Sequence, residues 1–277
     1  MSTTRSYGWK RGLPSHPDSY LLVAHPQVAS TFPKQKFLPS TYMPPVYDQG
    51  QLGSCTANAL SGAFEYMQKQ EGLEDFMPSR LFIYYNERSL ENNVLTDSGA
   101  SLDDGIKTLS TQGVCSETIW PYNISQFSTK PLAQAYTLAT AHQVLASKRV
   151  PTSIDGFRTM INMGYPVAFG FTVYASFESQ TTANTGIVKL PAANEQVLGG
   201  HAVVCVGYSD TMKSANGKTV GYLKIRNSWG DQWGQAGYCW MPYAYLTSLG
   251  LISDMWVITK NEDSLVSLNK KLSKPVA

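Results

Sequence analysis

Cysteine is scarce in this chain, with four in 277 residues. Cys55, Cys115, Cys205 and Cys239 stand far apart with no Cys-x-x-Cys pair, which argues against a disulfide scaffold and against a structural zinc site and predicts free thiols. Charge is thin as well. Charged residues make up 15% of the chain, the net charge is +2, and no long run of one sign occurs, so nothing electrostatic indicates nucleic acid as a partner. Long apolar runs are missing: Pro166-Val167-Ala168-Phe169-Gly170-Phe171 is among the longest, far below the roughly 20 residues that span a bilayer, so no membrane partner is indicated. The first residues, Met1 to Gly12, have basic side chains but no apolar stretch behind them, unlike a secretory signal, and the expected compartment is the cytoplasm.

What is present is ordinary globular composition, 43% hydrophobic, enough for a sizeable core. Residues 1 to about 45 are rich in Pro, Ser and Thr and lack periodicity, which predicts an extended lead-in rather than a packed element, with a boundary near Met43. From Cys55 to Gly72 the residues Ala59, Leu60, Ala63, Phe64 and Met67 recur at helical steps, predicting a helix with one buried stripe that stops at Gly72. Further helices are expected at about Leu102 to Gln112 and about Leu132 to Ser147. Strand signals then dominate at Val167 to Val173, His201 to Tyr208, Tyr222 to Arg226, Gly237 to Met241 and Met255 to Thr259. The reading is α+β, a helical half and a sheet-rich half with a cleft between them. The end of the chain, 261–277, reads as a solvated tail.

One cysteine is placed where thiols react. The segment from Tyr47 to Ser54 is a Gly-rich loop that delivers Cys55 to the start of the first helix. There the unpaired N–H groups and the positive end of the helix dipole favour thiolate and predict a lowered pKa. Taken alone, a small buried core residue explains such a cysteine equally well. Two other segments add weight: Leu198-Gly199-Gly200-His201-Ala202-Val203-Val204 opens an apolar strand with a histidine, and Asn227-Ser228-Trp229-Gly230 follows another strand, with Trp233-Gly234 and Gly237-Tyr238 close behind.

In this order the Gln-Gly-x-x-Gly-Ser-Cys loop, the Gly-His-Ala-Val strand and the Asn-Ser-Trp-Gly turn resemble the papain family of cysteine peptidases, and its bacterial-type branch more than the lysosomal enzymes. His201 follows Cys55 by 146 residues (201 − 55), inside the family's roughly 130 to 150. Asn227 follows by 172 (227 − 55), an excess that an insertion between Ser209 and Gly221 would explain. Leu52 and Thr56 stand where lysosomal members have a disulfide-forming cysteine and a tryptophan. The resemblance implies a papain-like two-lobed fold, a helical lobe plus a β-barrel-like lobe with the active-site cleft between. It divides the chain into an N-terminal extension at 1–42, a peptidase domain at 43–260 (helical lobe about 46–147, sheet-rich lobe about 148–260) and the tail.

It also implies roles. Cys55 is the expected nucleophile, His201 the base and later acid, Asn227 the residue that orients the imidazole, and Gln49 an oxyanion-hole donor. Substrate-binding candidates are Ser98 and Gly99, the latter for backbone pairing or as a plain turn glycine, and Gly170 and Ala202, which line the pocket for the side chain two residues before the scissile bond. Trp229 borders the cleft and shields the His201 to Asn227 bond. Tyr174 and Phe177 fit either the cleft rim or the core. His16, His25 and His142 receive no role, and Cys115, Cys205 and Cys239 read as inert. No metal or organic cofactor is implied, and the expected partners are peptide or protein substrates. An acyltransferase or transglutaminase-like catalyst would more often end its constellation in aspartate, and a silent binding protein on the same fold would lack one of the four site residues. The extension is either a surface-draped leader or, given Tyr7, Trp9 and Tyr20-Leu21-Leu22-Val23, a segment that folds back across the cleft as an inhibitor.

Overall fold

The structure, a computed structural model, describes residues 5–12 and 31–261. Strand β1 (Gln35–Phe37) lies within the lead-in and pairs antiparallel with residues 207–209 further along the chain, so this part of the lead-in is packed. Helix α1 (Cys55–Glu71) begins where the Gly-rich loop ends, and Gly72 stops it in the left-handed conformation at φ 68°, which glycine adopts without a Cβ penalty. Its residues are buried without interruption from Cys55 to Gln68, so it is a central helix rather than one with a single apolar stripe.

Helices α2 (Arg80–Leu90) and α3 (Leu102–Thr111) pack on α1. Each starts on a serine cap: Ser79 accepts from the Phe82 N–H and Ser101 from the Asp104 N–H. Between 132 and 147 the structure departs from the expected helix. A short α4 (Ala133–Ala139) ends at a turn, and β2 (Val144–Arg149) follows, because this segment finds an antiparallel partner at the end of the chain. Helix α5 (Ile154–Met163), capped by Ser153 and ended by Gly164, leads into the sheet.

Strands β3 (Val167–Tyr174), β4 (Val197–Lys213), β5 (Val220–Arg226), β6 (Tyr238–Pro242) and β7 (Ile252–Asn261) complete an antiparallel sheet in the order β2-β7-β3-β4-β5-β6, with β1 on β4. Strand β4 is the spine: residues 197–205 pair with β3 and residues 204–213 with β5. Helix α1 lies against β4 and β7. This is the papain-like α+β arrangement, a helical lobe facing a sheet lobe, with the start of α1 opposite His201 on β4. The residues of the expected tail beyond 261 lie outside the described residues.

Candidate active site

His201 enters β4 and Asn227 leaves β5, so adjacent strands bring them together across 26 residues of sequence. His201 Nε2 lies 2.8 Å from Asn227 Oδ1, and the same oxygen accepts the Ser228 backbone N–H at 2.9 Å. An atom that accepts a backbone N–H is the carbonyl oxygen of the amide, so Nε2 carries the proton in the neutral ring. That leaves Nδ1 as the bare nitrogen, buried and without a hydrogen-bond partner among the described residues. Trp229 stacks on the imidazole at 5.1 Å and 27°, and Phe171 and Phe177 meet it edge-on at 5.8 and 6.3 Å. The rings keep water from the His201 to Asn227 bond.

Gln49 is fully buried. Its Oε1 accepts from the Ser228 hydroxyl at 2.7 Å, which turns its amide nitrogen towards the cleft, where Nε2 donates to Leu52 O at 3.0 Å and to Ser6 O at 3.4 Å. Ser228 also accepts the Gln49 backbone N–H through its own carbonyl at 2.9 Å. One serine thus positions both the amide beside the imidazole and the amide beside the thiol. Nothing in the spacing singled it out, although it sits inside the Asn-Ser-Trp-Gly turn.

Residues 5–12 lie in the cleft. Ala100 N–H donates to Gly8 O at 2.7 Å, Lys10 N–H to Ala100 O at 2.9 Å and Trp9 N–H to Gly200 O at 3.0 Å. The leader's backbone pairing at this edge runs through Ala100, the residue after Gly99. Gly99, at φ 71°, supplies the close approach instead, since a Cβ there would collide with the Gly8 backbone. Lys10 Nζ reaches Ser98 Oγ at 3.5 Å and pairs with Glu91. Tyr7 sets its ring edge-on to His201 at 6.0 Å and donates its hydroxyl to Glu178. Arg5 places its guanidinium 5.0 Å from the Trp229 ring. Trp9 lies against Gly170 and Gly200, and Ala202, opposite Gly170 on β4, is buried behind them. Tyr20, Leu21, Leu22 and Val23 lie outside the described residues.

Burial decides the protonation state. Cys55 is fully buried, and desolvation pushes its thiol up from 9.0 to about 11 despite the backbone N–H groups of Ala202 and Gly8 that face it. Burial likewise brings His201 down from 6.5 to about 4. The lowered thiol pKa expected from the helix start is thus overturned in this arrangement: loss of water outweighs the helix terminus, and thiol and imidazole are both neutral. Cys115 and Cys205 are pushed up to about 11 and about 12 by burial, Cys239 is pushed up further still, and all four cysteines are free. Among the described residues no group of His, Cys, Asp and Glu is placed to hold a metal ion, and no helix is long and apolar enough to cross a membrane.

The family model described as papain family cysteine protease matches residues 33–259. An uncharacterized peptidase C1-like protein of Acanthamoeba polyphaga mimivirus is 43% identical over 229 residues, 79% of this chain and 71% of that one. Cysteine proteinase 3 of Entamoeba histolytica is 29% identical over 202 residues, 71% of this chain, and this chain spans 58% of that protein's length. Among solved structures, xylellain, a cysteine protease from Xylella fastidiosa, superposes with a TM-score of 0.82 at 36% identity, covering 93% of this chain and 97% of the other. A match over most of the chain, at this identity and on this fold, shows that the chain belongs to the papain family of cysteine proteases.

Proposed function

We propose that the chain hydrolyses peptide bonds through an acyl-enzyme on Cys55, and that residues 5–12 hold the site closed. The observation that carries the catalytic reading is the His201 Nε2 to Asn227 Oδ1 bond, which leaves Nδ1 as the nitrogen able to take the Cys55 proton once the cleft opens. The thiolate attacks the scissile carbonyl, the negative oxygen is stabilised by the Cys55 backbone N–H and the Gln49 amide, and the imidazolium protonates the leaving amine. Water then attacks the thioester with His201 as base and releases the acid. Ser228 holds Gln49 in place for this work. A preformed donor of this kind is worth about 2.7 to 4 kcal/mol in the transition state.

The leaving amine departs on the side of His201 and Trp229, so the acyl part of a substrate lies towards Ala100 and Gly170. Residues 5–12 run the other way, with Arg5 by Trp229 and Trp9 by Gly170. Their peptide bonds face the thiol backwards, which lets them fill the cleft without being cut. Hydrolysis of a fluorogenic dipeptide amide by the full chain, against Cys55→Ala, tests the chemistry. Turnover that survives Cys55→Ala sinks it.

A further inference from the structure

The loop that carries both oxyanion donors has little stiffness of its own. Gln49 stands at its start and the Cys55 N–H at its end, with Gly50 at φ 61° and Gly53 between them. Contacts from outside the loop hold it in shape. Ser228 holds Gln49 from the sheet lobe, and Asp97 accepts the Gly53 N–H at 3.0 Å. The contact that spans the loop comes from Tyr122.

The Tyr122 hydroxyl reaches both ends, 3.0 Å from Gln49 O and 2.5 Å from Ser54 Oγ. A carbonyl only accepts, so Tyr122 donates its one proton to Gln49 O, and Ser54 donates its own to the Tyr122 oxygen. Asn58 fits that direction: its Nδ2 donates to Ser54 Oγ at 3.1 Å and to Ser54 O at 2.9 Å. The hydrogen bonds thus run one way, from Asn58 through Ser54 and Tyr122 to Gln49. Arg80, the first residue of α2, fixes the far side of this chain. Its guanidinium lies 3.9 Å from the centre of the Tyr122 ring and donates through Nη1 to Asn58 Oδ1 and to Asp48 O, both at 3.1 Å. Glu117 holds the guanidinium in turn, through Nε at 3.0 Å and Nη2 at 2.7 Å. Arg80, Asn58 and Ser54 are all buried. The two groups that the Tyr122 hydroxyl touches are the Gln49 backbone and the residue before Cys55, so the hydroxyl sets the separation of the two donors.

Resting on the peptidase reading above, we propose that Tyr122 is a positioning residue whose hydroxyl spaces the Gln49 amide and the Cys55 N–H for the oxyanion. Acylation and deacylation both pass through that oxyanion, so lost spacing slows both steps and leaves KM in place. Alkylation of Cys55 by iodoacetamide forms no oxyanion and does not need the spacing. The test compares Tyr122→Phe with its parent, the full chain carrying Trp9→Ala to loosen the leader, on a fluorogenic dipeptide amide and on iodoacetamide. Tyr122→Phe removes one oxygen and keeps the ring on Arg80. Expected kcat falls by about ten- to a hundredfold, the cost of a donor moved off its place, while KM and the alkylation rate of Cys55 stay within about twofold. In a Gln49→Ala background no pair is left to space, and the same change costs about threefold or less. Ser54→Ala cuts the bridge at its other end and decides by the same criteria should circular dichroism show Tyr122→Phe unfolded. Unchanged hydrolysis, an equal fall in alkylation, or an undiminished loss in the Gln49→Ala background overturns the positioning role and leaves the peptidase reading standing. A parent whose Cys55 alkylates but which hydrolyses no amide overturns both.

Discussion

The leader at residues 5–12 and the cleft beneath it are held by different forces. Gln49, Cys55, His201 and Asn227 are 0 to 1% exposed, and Ser228 joins Gln49 to Asn227 from within the fold. The ion pairs of the leader are contacts that water reaches: the side chains of Arg5 and its partner Asp48, 3.5 Å apart, are 18% and 59% exposed, and those of Lys10 and Glu91 are 40% and 22% exposed. Pairs of this kind contribute about 0 to 1 kcal/mol each. Its grip therefore comes from the Trp9 ring, the Tyr7 ring, three backbone bonds and the Gly12 N–H on the buried Asp254 carboxylate. The cleft residues are buried within the fold, and the leader lies over them on contacts that water partly reaches.

The sharpest test of that contrast removes one cleft residue. His201→Ala should lower kcat/KM on a dipeptide amide by about 10² to 10⁴, the range of a lost general acid and base, whereas Asn227→Ala should cost less because the ring and its stacking on Trp229 remain. Equal losses would contradict the division of roles. On the leader the sign reverses. Trp9→Ala removes a half-buried ring worth about 2 kcal/mol and should raise the open fraction, and with it kcat/KM on small substrates, by up to about thirtyfold. If kinetics are unchanged while circular dichroism shows both proteins folded, the leader is no inhibitor.

The pH dependence of closure follows from the same burial. His201 sits at about 4 when covered against an ordinary 6.5, so the advantage of the covered state is complete above about 6.5 and is lost as pH falls from there through 4. Cys55 sits at about 11 against an ordinary 9.0, so the covered state also loses ground as pH rises above about 9. Iodoacetamide at slightly acid pH should accordingly label Cys55 well before Cys115, Cys205 or Cys239, as read by mass mapping. If another thiol reacts first, the nucleophile assignment fails. The smallest effect is expected at the leader's edge: Lys10→Ala should change kcat/KM by less than about fivefold. Opening as large as that of Trp9→Ala would mean that charge, not packing, holds the cover.

Several elements were legible because one local rule governs them. Helix α1 follows from its apolar steps and from Gly72, and β3 to β7 follow from apolar runs between turn residues. Helix α2 was not legible: Arg80–Leu90 is buried from Arg80 through Arg88, with its charged residues enclosed in the lobe, so no polar face marks its period. The segment 132–147 read as helix because its apolar residues suit either structure, and only the partner strand β7 makes Val144–Arg149 a strand. Of the candidate site, Cys55, His201, Asn227 and Gln49 were legible as candidates through motif and order. Ser228 and Ala100 were not, because a serine and an alanine have no local signature for the neighbours that chain crossings bring to them.

The sequence by itself determined which residues could do chemistry and where the thiol would stand, because a Gly-rich loop feeding an apolar helix places Cys55 in the first turn whatever surrounds it. The tertiary structure decided the state of that chemistry. A helix terminus favours thiolate only while water or a cation shares the site, and where Cys55 and His201 are fully buried the cost of burying charge is the larger effect, so thiol and imidazole stay neutral.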